Sequence, residues 1–149
     1  MLGLRSRTLI PVLLIATMLV TVSGIQPASA TLPREERMYR MVQDARKSRG
    51  LGSLYLSQRL SDVARAHSRQ MRGGRRMYHH SCLRCTLSSY SYRIAGENVG
   101  YGSSVRAVFR MLMRSKSHRA NILRSGFKRI GIGAVRGGGR VWVTQIFLG

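Results

Sequence analysis

The sequence predicts an α+β fold in which an antiparallel sheet is held between helical layers. Apolar residues recur at helical spacing through residues 34–71 and again through 105–112, whereas residues 127–148 switch to strand patterns around a glycine turn. The second of those strands, Val141 to Leu148, is apolar on both faces, so layers must cover it above and below.

What precedes the first helix reads as an export signal. Arg5 and Arg7 form a positive n-region, Leu9 to Val22 is an uncharged apolar run, and Ala28-Ser29-Ala30 is a small-x-small cleavage site. The run is shorter than the roughly 20 residues a membrane span needs, and Pro11 interrupts it. Residues 1–30 are therefore expected to be a cleaved signal peptide, leaving one domain at residues 31–149 and a secreted, extracellular or envelope-associated location.

The first helix is expected to open at Pro33, with Glu35 and Glu36 where the helix dipole favours acid. Met38, Met41, Val42 and Ala45 form its buried stripe, and Arg46, Lys47 and Arg49 crowd the last turn before Gly50. After a short link, Ser57 caps a second helix whose stripe is Leu60, Val63, Ala64, His67 and Met71, and Gly73-Gly74 ends it. Lying on that stripe, His67 is read as a hydrogen-bonded packing residue and not a ligand. Residues 75–102 look irregular, with a short helical turn expected within Leu87 to Arg93. A third helix starts at Ser103 or Ser104 and buries Val105, Val108, Phe109 and Leu112; Ser117 then caps a short helix, His118 to Leu123. In the strand from Phe127 to Val135, Gly131 and Gly133 alternate with Ile130 and Ile132, leaving one face bare for close packing, and Gly137-Gly138-Gly139 turns the chain back.

The chain carries 26 basic and five acidic residues; the leader takes two basic residues and no acidic one, so residues 31–149 have a net charge of +19. Such a field attracts polyanions, and export narrows them to anionic cell-envelope polymers or lipids, with no nucleic acid expected. Arginine outnumbers lysine 23 to 3, which also fits arginine merely replacing lysine on a solvated surface. Cys82 and Cys85 are most simply a disulfide in an exported chain. Their C-x-x-C spacing also admits a redox pair or half a zinc site, but neither a second C-x-x-C nor a thioredoxin-like βαβ pattern accompanies them.

Glu97 stands out because it is the only acidic residue after Asp62 in a strongly cationic chain. It lies in Ala95-Gly96-Glu97-Asn98-Val99-Gly100, with His79-His80 before it and His118 after it. A carboxylate among imidazoles is the raw material of a metal or acid/base site.

Taken together, Leu60-(x)3-Ala64-x-x-His67-Ser68-x-x-Met71, His80-Ser81, Gly96-Glu97-Asn98-Val99-Gly100, His118-Arg119-Ala120-Asn121-Ile122-Leu123, Ile130-Gly131-Ile132-Gly133 and Trp142-Val143-Thr144-Gln145-Ile146-Phe147 resemble the CAP superfamily. That superfamily groups cysteine-rich secretory, antigen 5 and pathogenesis-related 1 proteins, and the likeness is to its short bacterial exported branch. The resemblance implies a three-layer α-β-α sandwich and a cleft lined by two histidines and two acids, the histidines able to hold a divalent metal. By motif it places His80, Glu97 and His118 in the cleft; either His80 and His118 hold a divalent metal, for which imidazole donors suit Zn2+, or the three groups form only a hydrogen-bonded polar cluster. The second acid would fall within Arg110 to Ser115, which offers no carboxylate, and the histidine that precedes Thr-Gln in other members is absent from Trp142-Val143-Thr144-Gln145. The Pro-Gly of bacterial members is missing before His118 as well. A His-Glu-His triad survives.

Three functions compete on this reading. One is a monomeric, non-enzymatic secreted module that binds a lipid, a peptide or an envelope component. The second is a metal-dependent hydrolase using the His-Glu-His cleft; the chain has no G-x-S-x-G elbow and no Ser-His-Asp set to support another hydrolytic mechanism. The third is a cationic factor acting by charge alone. The binding module is the expected one.

Overall fold

The computed structural model describes residues 33–149. The signal-peptide reading of residues 1–30 lies outside the described residues, and among those described no helix is long and apolar enough to cross a membrane.

Helix α1 (Arg34–Lys47) starts after Pro33, which occupies the cap position, and carries Glu35 and Glu36 in its first turn. Strand β1 (Tyr55–Leu56) leads into α2 (Gln58–Gly73), whose Ser57 cap accepts the Leu60 N–H. The short helix α3 (Leu83–Thr86) overlaps the disulfide-closed turn Cys82–Cys85 and does not fall in residues 87–93, where the sequence suggested one. After β2 (Ala95–Gly102) come α4 (Val105–Arg114), capped by Ser104, and α5 (Lys116–Leu123). Ser115, and not Ser117, precedes α5, and it makes no side-chain cap bond. The chain ends with the hairpin β3 (Arg129–Gly137) and β4 (Arg140–Leu148).

The strands lie in the order β1-β3-β4-β2. Strands β3, β4 and β2 run antiparallel, as expected, while two-residue β1 adds parallel to β3 and makes the sheet mixed. The segment containing Glu97 is therefore a strand, where the sequence looked irregular. Its positions facing α4 and α5 are Gly96, Asn98, Gly100 and Gly102, so it lacks the apolar alternation that marks a half-buried strand.

One face of the sheet packs on α2 and the other on α1, α4 and α5, giving the expected α-β-α layering. Ile130, Ile132, Val143 and Phe147 join Met38, Val42, Val108, Leu112 and Ile122 in the larger core. Ile146 and Leu148 point the other way, to Leu60, Ala64 and Leu87. The bare glycines of β3 let α2 lie directly on the sheet: a Cβ at Gly133 would sit 2.3 Å from the Ala64 backbone, and one at Gly131 would sit 2.4 Å from that of Leu60. At the hairpin tip Gly138 and Gly139 have φ of 58° and 72°, the left-handed pair that a two-residue type I′ turn requires.

Arg46, one of the cations of the last turn of α1, is turned into the protein. It is only 1% exposed, and no carboxylate pairs with it. Its Nε donates to the Gly52 carbonyl at 2.9 Å, and one terminal nitrogen donates to the carbonyls of Ile122 and Arg124 at 2.9 and 3.0 Å. Burial pulls its pKa below the ordinary arginine value. The guanidinium nevertheless answers the orphan carbonyls at the C-terminal end of α5, where a cation is favoured, and so ties α1 to α5. Replacing Arg46 with Met leaves these carbonyls without a donor and is expected to cost about 3 kcal/mol in urea unfolding. Arg46→Lys should recover only part of the loss, because an ammonium lacks the planar fork. Unchanged stability in Arg46→Met would show that the network does not hold the fold.

Candidate functional site

Register fixes which way Glu97 points. It pairs with Ile146 across β2 and β4, so it faces the α2 side together with Val99, which packs on Met71; its neighbour Asn98 faces α5. The Glu97 side chain is nearly buried and has neither arginine nor lysine for a partner. Its partners come from the loop after α2. Oε2 accepts from His79 Nδ1 at 2.7 Å and from the His80 backbone N–H at 3.1 Å, and Oε1 accepts from His80 Nδ1 at 2.5 Å. A carboxylate can only accept, so it selects the Nδ1–H form of both imidazoles and leaves Nε2 of each as the free position. His80 is mostly covered, whereas the His79 side chain is about half exposed.

His67 supports this loop from below. It is 2% exposed, its Nε2 donates to the Tyr78 carbonyl at 2.8 Å, and its ring stacks on His80 with centroids 3.8 Å apart and planes 23° from parallel. With Nε2 committed, Nδ1 is a buried lone pair without a partner. Ligand atoms of His67, His80 and Glu97 lie within 4.8 Å of one another, which makes them the metal-competent group among the described residues. The stack argues against those three as a ready site. Imidazole lone pairs lie in the ring plane, and two nearly parallel planes cannot both aim at one ion about 2 Å away. Rotating either ring would break the bond to Tyr78 or the one to Glu97. The geometry thus agrees with His67 as a hydrogen-bonded packing residue.

His118 arrives on α5 and stands outside that group. Its ring lies over His79 with centroids 6.3 Å apart, and its Nδ1 is buried without a partner. Desolvation, and then the nearby His79, push its pKa below the ordinary histidine value, so the neutral, lone-pair-bearing ring is favoured. The backbone of α5 is secured by amides: Asn98 Nδ2 donates to the His118 carbonyl at 3.0 Å and to Gln145 Oε1 at 3.0 Å. Asn121 Nδ2 donates to Asn98 Oδ1 at 2.9 Å and to the Glu97 carbonyl at 3.2 Å.

The structure therefore joins Glu97 to His80 directly and brings His118 near through His79. Sequence reasoning counted His79 among the imidazoles flanking Glu97 but left it out of the cleft set, and it gave no role to Asn98, Asn121 or Gln145. The three amides sat in plain view beside Glu97, in the segment after His118 and in Trp142-Val143-Thr144-Gln145, and their shared function is to bolt β4, β2 and α5 together.

The profile of the cysteine-rich secretory protein family, CAP, matches residues 39–147. A relative, the uncharacterized protein YkwD of Bacillus subtilis (strain 168), is 34% identical over 122 residues, covering 77% of this chain and 47% of that protein. The chain thus spans about half the length of that relative. Among solved structures, an extracellular protein containing an SCP domain from Bacillus anthracis superposes with a TM-score of 0.69 at 24% identity, over 77% of this chain and 40% of that one. An outer surface protein of Borrelia burgdorferi gives a TM-score of 0.70 at 16% identity, over 77% and 91%. Likeness at these identities speaks for the fold.

The environment of His118 sets a pH dependence. Its folded pKa lies below the ordinary 6.5, so the stability it contributes is fully present above that pH and is lost as pH falls from there toward the folded pKa. In metal-free protein the His118 ring should titrate below 6.5 by NMR, and His118→Gln should flatten the acid-side loss of stability. Titration at or above that value would refute the desolvated placement.

Proposed function

The chain belongs to the cysteine-rich secretory protein (CAP) family, and from that premise we propose that it is an exported, non-enzymatic binding module acting at the cell envelope. Its histidine cluster takes a divalent cation, Zn2+ by donor type, and its cationic surface associates with anionic envelope polymers or lipids.

The observation that carries the metal reading is the pair of bonds from Glu97 to His79 and His80. A carboxylate on Nδ1 orients an imidazole and raises the basicity of its Nε2, which is how outer carboxylates serve histidine ligands. His80 Nε2 and the neutral ring of His118 are the nitrogens that would hold the ion. Two protein nitrogens make an open site of modest affinity, with positions left for water or for a ligand's own oxygen. Glu97 stays in the outer shell, since its oxygens are already occupied by N–H donors.

A second reading, a metal-dependent hydrolase, draws on the same bonds. His80, with Nδ1–H held by Glu97 and Nε2 free, is arranged to hold a catalytic metal ion together with His118. Zinc bound there would supply Lewis acidity and a water of lowered pKa. Against this reading, the bonds of Glu97 to both histidines leave it no role as a general acid, and Arg110 to Ser115 supplies no second carboxylate.

Titration calorimetry with Zn2+ separates these statements from a purely structural cluster. Binding is expected in the wild type, lost in folded His80→Ala/His118→Ala, retained in His67→Ala and weakened roughly tenfold or more in Glu97→Gln. Unchanged heats in the double variant would mean that the cluster only ties the loop to β2. Turnover of ester or amide substrates by the zinc-loaded wild type, lost in His80→Ala, would replace the binding module with the hydrolase.

A further inference from the structure

An arginine-lined cleft lies apart from the histidine cluster, where the end of α2 meets the β3–β4 hairpin. Its volume is about 710 Å3, and Arg72, Arg75, Arg140, Trp142, Gly137 and Gly138 line it. No carboxylate and no histidine is among its lining residues. Among the described residues neither Arg72 nor Arg75 has an ion-pair or hydrogen-bond partner for its side chain, and Arg140 is engaged only with an aromatic ring. Three guanidiniums facing one concavity repel one another, and no carboxylate among the described residues pairs with them.

The cleft is also built, and not merely lined. Arg72 lays its stem across the hairpin: a Cβ at Gly137 would fall 2.5 Å from Arg72 Cδ. Arg140 stacks over Tyr101 at 4.8 Å, Tyr101 stands 4.9 Å from the Trp142 ring, and Trp142 Nε1 donates to the Gly137 carbonyl at 3.3 Å. Arg75 is the most telling residue. Helix α2 ends in a Schellman cap, with Arg76 N–H bonded to the Met71 carbonyl and Arg75 N–H to that of Arg72. The residue at the turn of such a cap is left-handed and is usually glycine. Here it is Arg75, at φ 50°, the one non-glycine residue with positive φ among those described, although two glycines directly precede it. Backbone strain accepted where glycine would serve better marks a side chain kept for another purpose.

From this geometry we infer that the cleft is a binding site for phosphate esters, and that it takes a phosphodiester group of an anionic envelope polymer or lipid. Guanidiniums donate in forks. A phosphodiester exposes two terminal oxygens spread over a tetrahedral phosphorus, each with lone pairs in more than one direction, so arginines on different walls of the cleft can engage one group. The site continues past Arg72 into a neighbouring groove of about 570 Å3 that carries Arg34, Arg69 and Arg136. Glu35 and Arg65 in that groove neutralise each other through two bonds of 2.7 and 2.8 Å. A track of this kind suits a chain of repeated anionic groups. Assigning the source to the envelope rests on the reading of this chain as an envelope-binding module; the phosphate chemistry rests on the cleft alone.

Trp142 is the only tryptophan in the sequence, so its fluorescence reports this cleft and no other surface. Three probes are compared at fixed ionic strength: soluble poly(glycerol phosphate), phosphatidylglycerol vesicles, and polygalacturonate as a carboxylate polymer. The wild type should show saturable binding and a Trp142 response with one or both phosphodiester probes, the soluble polymer or the vesicle naming the source, and weaker binding to polygalacturonate. Arg72→Gln/Arg140→Gln should lose at least about tenfold in affinity, while Arg106→Gln/Arg110→Gln, the same charge removed from exposed α4 positions, should lose less than about twofold. Arg75→Gly should raise the unfolding midpoint yet weaken binding, which a merely structural residue would not do. Equal losses in the two double variants, binding with no Trp142 response, or polygalacturonate binding as tight as phosphodiester would overturn the cleft assignment while leaving envelope binding in place. No binding of any probe by the wild type would overturn the envelope reading itself.

Discussion

A buried carboxylate with no arginine or lysine beside it is the constraint on which this site depends. In a protein of such positive charge, Glu97 could have found a guanidinium anywhere on the surface. It is instead held on the α2 side of β2, where two imidazole N–H groups and one backbone N–H are its donors. Burying a carboxylate is costly unless its oxygens are fully hydrogen-bonded, so the loop carrying His79 and His80 must close over β2 in one arrangement. Strand register then matters more than usual. A slip of one residue along β4 would turn Glu97 toward α5 and Asn98 toward the histidines, undoing both polar networks at once. The Gln145–Asn98–Asn121 ladder and the Arg46 bonds to the end of α5 keep the other half of the site, His118, in step with that register.

Much of the fold was legible because most of its elements bury a periodic face. The stripes of α1, α2 and α4 and the doubly apolar β4 announce themselves, and the glycines of β3 foretold the close approach of α2. Strand β2 did not, because three of the four positions it presents to α4 and α5 are glycines and the fourth is Asn98, so that packing against those helices leaves no apolar signature. Two-residue β1 is too short to have a period at all. The role of Arg46 was not legible either. It lies four residues after Val42 and eight after Met38, on the buried stripe, and the sequence marks it only as a cation of its own last turn, whereas it serves the end of α5. At the site, residue type and spacing pointed to Glu97 flanked by His79-His80 and His118, and the family resemblance narrowed these to His80, Glu97 and His118; the tautomer logic that makes His79 an equal partner of Glu97 exists only in three dimensions.

Helix α2 organises two kinds of chemistry. Through His67 its middle supports the imidazole cluster, and through Arg72 and the strained Arg75 its end shapes a cationic cleft against the hairpin. Met71, Val99 and Trp142 form the small apolar cluster that joins these regions to the sheet. The glycines that bring α2 onto β3 thus hold both sites to one rigid sheet. Ligand contacts at the end of the helix, as proposed for the cleft, need not disturb a polar cluster whose tautomers are fixed at its middle.

The central claim is that Glu97 fixes its two histidines through Nδ1 while His67 is fixed the opposite way. Nitrogen-15 NMR of the imidazole rings in metal-free protein, at a pH about two units above the ordinary histidine range, tests it most directly. His79 and His80 should appear as Nδ1–H tautomers and His67 as Nε2–H, so that the stacked His67–His80 pair carries opposite tautomers. An Nε2–H tautomer on His80 would contradict the account, because Glu97 could then not be the acceptor that holds the site together.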